Sequence, residues 1–183
     1  VQAPSFKERI EQGGLVGYII LIVGAIALLL SLERLFSLSV TRTKVNKQLK
    51  SNTFKDSNPL GRVMQVRDKY PHADVEALEL HLTEAILGEV PRLGRFLTII
   101  KIISVVAPLM GLLGTVTGMI NTFQAITLFG TGDPKLMAGG ISTALVTTVL
   151  GLVVAIPTTL FYAILNTRSK NIVYILQEQA SGV

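Results

Sequence analysis

The sequence predicts an all-α membrane protein with three transmembrane helices, and three observations carry that reading. Gly13 to Leu32, Ile102 to Gly132 and Leu136 to Thr167 are each free of charged residues and each reach membrane length. Charged residues make up 16% of the 183, against about a quarter in soluble domains. Twelve of the 17 Lys and Arg fall between Arg34 and Lys101, in the single long polar stretch. About 20 helical residues at 1.5 Å each cross a hydrocarbon layer of roughly 30 Å, so each run suffices for one crossing.

Residues 1–12 form a polar lead-in in which Lys7 and Arg9 are offset by Glu8 and Glu11. The first span is placed at 13–38. A signal peptide is the competing reading, but the apolar run exceeds a usual h-region and Glu33-Arg34 follows it without a small-residue cleavage site. Residues 39–95 form a polar, helical region with turn signals at Ser57-Asn58-Pro59 and Tyr70-Pro71. Within it Val75, Leu78, Leu82, Ala85 and Ile86 share one helical face, and Pro91 marks a kink or a restart. This region suits either a small helical cap or membrane helices prolonged past the bilayer.

The second span covers 96–129 and the third 136–167. The intervening turn, 130–135, is short enough to make the two spans antiparallel neighbours. The tail, 168–183, is amphipathic, with Ile172, Ile175 and Leu176 on one side. Lys and Arg flank the exit of the first span and the entry of the second, which places the middle region in the cytoplasm. The N-terminus is then outside and the C-terminus, with Arg168 and Lys170, inside.

Along the second span Gly111, Gly114, Thr115, Gly118 and Thr122 recur every three or four residues, and the third repeats the design with Gly140, Thr143, Ala144, Thr147, Thr148, Gly151 and Ala155. Small residues in register let membrane helices pack closely. Aligned hydroxyls can also line a path for a polar guest, although a threonine can equally bond back to a carbonyl one turn earlier. Pro108 and Pro157 each remove a backbone hydrogen bond and are read as local accommodation or as hinges. No ionisable side chain interrupts any of the three runs, so a charge for ion coupling has to come from another chain.

No catalytic constellation, metal site or cofactor motif is legible. His72 and His81 lack zinc-protease spacing and read as surface or packing residues. There are no cysteines to bind metal or form disulfides. The net charge of +5 carries no nucleic-acid motif and reads as a membrane-topology signal.

Ala107-Pro108-Leu109-Met110-Gly111-Leu112-Leu113-Gly114-Thr115-Val116 and the segments Gly140 to Thr148 and Gly151 to Pro157 resemble the ExbB/TolQ/MotA family of ion-driven motor subunits. The single span before the polar region resembles the ExbB/TolQ branch. The resemblance implies a homo-pentamer in the inner membrane of a Gram-negative cell, with a pore holding an ExbD-like single-span partner in two copies. A membrane Asp of that partner would take up the ion, and the assembly would drive a TonB-like protein in outer-membrane transport. Thr115 and Thr148 match the threonines that face this Asp, with Thr143 and Thr147 beside them. Gly111, Gly114, Gly118, Gly151, Pro108 and Pro157 are read from the residues themselves as helix-packing or hinge positions. Many family members carry Glu where this chain has Thr143, so ion coupling rests more heavily on the partner's Asp. The adjacent Val146-Thr147-Thr148 resembles sodium-driven relatives, which leaves sodium as an alternative to the proton. The implied function is an ExbB-like subunit of a proton-driven motor. The alternatives are a TolQ-like envelope-integrity subunit, another ion-driven motor, or a structural membrane scaffold.

Overall fold

The computed structural model describes residues 14–130 and 134–182. The polar lead-in and residues 131–133 of the short turn lie outside the described residues. Five α-helices follow in order, and among the described residues there is no strand. They are α1 (Gly14–Leu49), α2 (Pro59–Lys69), α3 (Val75–Leu93), α4 (Leu97–Phe129) and α5 (Pro134–Ser181). Three of them, α1, α4 and α5, are long and apolar enough to cross a membrane.

Two of the helices run further than the uncharged stretches alone imply. Beyond the hydrophobic run α1 continues to Leu49, because Ser31, Arg34, Leu38, Val45 and Gln48 keep burying one face. Helix α5 continues to Ser181 instead of ending near Thr167. No Gly or Pro interrupts that stretch, and Leu165, Ser169, Ile172 and Leu176 form its buried stripe. The polar region thus contains the continuation of α1 and two further helices, α2 and α3, which form a cap.

That cap is α2 and α3. Asn58 caps α2 by accepting from Gly61 N at 2.6 Å, with Pro59 at the first helical position, where its missing N–H costs nothing. Asp74 caps α3 by accepting from Ala77 N at 2.7 Å. Leu82 and Ile86 are buried and Leu78 and Ala85 half-buried, as the periodicity implies, and Leu93 is buried too, but Val75 is exposed at the first turn, next to the cap. Glu89 extends the buried face, at i+3 from Ile86. Pro91 lies within α3, which ends two residues later at Leu93. Phe96 then takes a left-handed backbone (φ 66°), a costly conformation for a bulky residue, in the tight turn into α4.

The chain divides into two compact units. One comprises the described part of Val1–Leu30 with Ile99–Phe161, and the other Ser31–Thr98 with Tyr162–Val183. The first is held by Ile20 and Ala27 of α1, Ile103 and Ala107 of α4, and Val146, Leu150, Val154 and Ala155 of α5. Gly24 admits Val154 against α1, since a β-carbon there would lie 2.6 Å from Val154 Cγ2. Outward-facing Leu15, Ile22, Leu29, Leu112, Phe123, Leu152 and Ile156 remain more than 45% exposed, a surface suited to lipid or to other membrane helices.

Two arginines organise the second unit. Arg34, 5% exposed, donates through Nη2 to the carbonyls of Arg92 (3.1 Å) and Leu93 (2.9 Å), and so closes the negative end of α3. Arg62 of α2 grips Glu89 of α3 through two parallel bonds, Nε to Oε1 at 2.7 Å and Nη2 to Oε2 at 2.8 Å. Hydrogen bonding to Glu89 raises the Arg62 pKa further, against the opposing effect of burial. A raised cation pKa contributes stability that is fully present below its unfolded value and lost only as pH rises past it. The guanidinium therefore stays charged through neutral pH.

Removing one partner leaves the other charge buried and unpaired. Arg62→Ala is expected to destabilise the α2–α3 cap by about 3 kcal/mol, whereas Arg62→Leu with Glu89→Leu returns close to wild type. Thermal unfolding of the detergent-solubilised protein reads both, and a single variant as stable as wild type would count against the pair.

Candidate functional site

The site lies where α4 and α5 cross in the first unit, and glycine makes the approach possible. A β-carbon at Gly111 would sit 2.8 Å from Thr147 O, and one at Gly151 would sit 2.6 Å from Ala107 O. Farther along, a β-carbon at Gly114 would meet Thr147 Cβ at 2.7 Å and one at Gly118 would meet Ala144 Cβ at 2.8 Å. Gly140 lies against Thr122 in the same way. These distances bring backbone to within reach of hydroxyls on the facing helix.

The hydroxyls use that reach. Thr147, 2% exposed, has Gly111 O at 3.1 Å across the seam and Ala144 O at 2.7 Å on its own helix. Thr115 Oγ1 faces Ala144 O across the seam at 2.8 Å and Gly111 O on its own helix at 3.1 Å. It also meets Thr148 Oγ1 in a short hydroxyl contact. Each hydroxyl has one proton to give. An arrangement that leaves none idle sends Thr148 to Thr115, Thr115 to Ala144 O and Thr147 to Gly111 O. Bonds then cross the seam in both directions, each contributing about 1 kcal/mol in a membrane.

The structure brings Thr115, Thr147 and Thr148 together, but Thr143 is one turn away and donates to Gly139 O at 3.0 Å. Thr117 and Thr122 likewise bond back along α4, to Leu113 O (2.7 Å) and Gly118 O (2.9 Å). Thr148 differs from these. Its hydrogen-bond partner in the cluster is another hydroxyl, on the facing helix, and not a carbonyl of α5. Both prolines lie inside continuous helices. Half-buried Pro108 follows Ala107, whose carbonyl meets Gly151, and exposed Pro157 precedes Thr158, which bonds Val154 O at 2.7 Å.

A seam of this kind, on two of three membrane-length helices, coincides with a family match. The family described as the MotA/TolQ/ExbB proton channel family matches residues 42–178, which include the whole seam. The chain belongs to this family.

Among its relatives is a Synechocystis biopolymer transport protein described as ExbB-like 3, 34% identical over 93% of this chain and 90% of its own length. The biopolymer transport protein ExbB of Helicobacter pylori is 40% identical over 52% of this chain and 58% of its own. The Tol-Pal system protein TolQ of Pseudomonas aeruginosa is 28% identical over 77% of this chain and 65% of its own. The MotA/TolQ/ExbB family is one of channels and not of enzymes, and its member here is a multi-pass membrane protein.

The signal for the cluster was present in the spacing of glycines and threonines. What spacing could not separate is which threonines meet across the seam and which merely bond back, because that depends on helix register. The packing of α1 on α5 through Gly24, which meets Val154, was not read from the sequence.

The seam predicts a rank order. Gly151→Ala and Gly111→Ala press a methyl onto backbone atoms that cannot rotate away and are expected to cost about 1–3 kcal/mol. Gly140→Ala meets a threonine side chain that can turn and should cost less, while Gly139→Ala, with nothing within 4 Å, should be neutral. Thermal unfolding in detergent orders the four, and equal effects at Gly139 and Gly151 would remove the seam as their cause.

Proposed function

We propose that this chain is the multi-span subunit of an ExbB-type motor that uses the proton motive force to energise TonB-dependent transport across an outer membrane. The observation that carries the reading is the Thr115–Thr148 hydroxyl pair, held on a glycine seam within the family match. Both side chains are half-buried, so the pair is neither locked in a core nor open to lipid on all sides. An ionisable group arriving from a partner helix would find there a donor and an acceptor, and no fixed charge.

In this reading five copies surround a pore lined by α4 and α5, and two single-span ExbD-like chains occupy it. Their membrane carboxylate shuttles protons past the threonines, and a TonB-like protein receives the motion. The assembly sits in the inner membrane of a Gram-negative cell, N-terminus outside and C-terminus inside, as the basic flanks Arg34, Arg42, Lys44 and Lys47 favour. Each charge that crosses yields about 2.3 kcal/mol per 100 mV, so mechanical work needs several ions per cycle and a pore that does not leak. Thr143 bonds its own helix, so it adds to the polarity of the pore wall without belonging to the hydroxyl pair. Sodium as the coupling ion is a variant of this reading, suggested by the resemblance of Val146-Thr147-Thr148 to sodium-driven relatives. The relatives named TolQ support a second reading, a Tol-Pal-type envelope subunit with the same mechanism and a different partner.

Thr148→Val tests the role. It keeps the shape and removes the hydroxyl, while Thr115 retains Ala144 O and Gly111 O as acceptors. Stability is expected to fall by less than about 1 kcal/mol, with assembly intact by native mass spectrometry and energised uptake lost at least tenfold. Normal uptake in that variant would remove the pair from the mechanism. The same spectra, recorded with the ExbD-like partner co-expressed, should show five copies with two partners. A monomer that holds no partner would favour the scaffold reading.

A further inference from the structure

We propose that the groove between α1 and α5 in the second unit binds the headgroup phosphate of an anionic phospholipid. The groove encloses a cavity of about 380 Å³ lined by Leu38, Ser39, Arg42, Arg168, Asn171 and Ile172. Its chemistry is two-sided. Leu38 and Ile172 are buried apolar residues, while Arg42, Arg168, Asn171 and Ser39 are exposed and polar. Arg168 Nη1 donates to Ser39 Oγ at 3.3 Å, which turns one guanidinium toward α1 and the side of Arg42. No Asp or Glu lines the cavity, and among the described residues no carboxylate forms an ion pair with either arginine. Two unneutralised guanidinium forks suit a phosphate, which accepts two parallel bonds from each.

The location selects a lipid over a soluble anion. Arg168 is the first charged residue of α5 after Lys135, so the groove opens where that helix leaves its uncharged run. On α1, Arg42 lies eight residues beyond Arg34, roughly 12 Å past the first charges that follow the apolar stretch. The polar headgroup layer occupies about 5–8 Å on each side of the hydrocarbon core, and an arginine stem can reach back into it. One water occupies about 30 Å³, so the cavity far exceeds what a bare phosphate fills. A phospholipid uses the remainder by laying its glycerol and first methylenes on Leu38 and Ile172. Basic pockets between membrane helices are recognised sites for such headgroups.

Native mass spectrometry of the delipidated full chain, titrated with phosphatidylglycerol, phosphatidylcholine and glycerol phosphate, tests the assignment. The expected result is one phosphatidylglycerol retained per chain, at least tenfold in preference to phosphatidylcholine, and not displaced by excess glycerol phosphate. Arg42→Gln with Arg168→Gln should lower retention at least tenfold, and Lys170→Gln, next to the groove but outside its lining, should leave it unchanged. Asn171→Leu keeps both arginines and fills the groove, so it too should lose the lipid. Equal retention of the two lipids, or equal retention by wild type and either groove variant, would overturn the site. Displacement by glycerol phosphate would overturn the lipid assignment in favour of a soluble phosphate.

Discussion

At Gly151 a β-carbon would lie 2.6 Å from the carbonyl oxygen of Ala107, and at Gly111 one would lie 2.8 Å from that of Thr147. Helices approach this closely only where the side chain is absent. In a bilayer the reward is larger than dispersion contact alone, because backbone carbonyls become acceptors for hydroxyls on the facing helix. Thr115 and Thr147 use those acceptors, and the Thr115–Thr148 pair follows from the same spacing. Widen the seam by one methyl and the cross-helix bonds are lost together. The hydroxyl cluster is therefore a consequence of the glycine register and not a separate invention.

Much of this was legible in the sequence for physical reasons. Uncharged runs of membrane length leave few alternatives to helices, since lipid offers no partner for open backbone. Ser57-Asn58-Pro59 reads as a turn signal, and in the structure that turn is the entrance of α2, with Asn58 as its cap and Pro59 at the first helical position. The glycine and threonine stripes marked the faces of α4 and α5. The continuation of α1 and α5 past their charged flanks was less visible. Periodicity fades when Ser31, Arg34, Gln48 and Ser169 occupy buried positions, as they do here. Glu89 shows the same effect, since a carboxylate on a buried face looks like an error until Arg62 is found 27 residues earlier. Val75 failed in the opposite direction, an apolar residue on the expected face that the helix start leaves in the open.

The two units divide the chemistry. In the first, the seam between α4 and α5 is built from hydroxyls and carbonyls, and the uncharged runs that carry it stay neutral because a lone charge in lipid is costly. In the second, two arginines are matched, Arg62 by a carboxylate and Arg34 by the carbonyl end of a helix. Arg42 and Arg168 form no ion pair among the described residues, and they lie where the apolar stretches have ended.

Arg34 has a history that the finished fold conceals. A ribosome releases it 58 residues before Arg92, whose carbonyl it eventually holds. While the first helix enters the bilayer, α3 has not been made, and Arg34 is a bare cation at the trailing edge of an apolar segment. In that period its charge is met by water and not by the carbonyls it will later hold. Once α3 has formed, the same guanidinium disappears from solvent and becomes a helix cap. One residue thus spends the synthesis of the chain as a solvated charge and the finished fold as a helix cap, so its burial marks the arrival of α3.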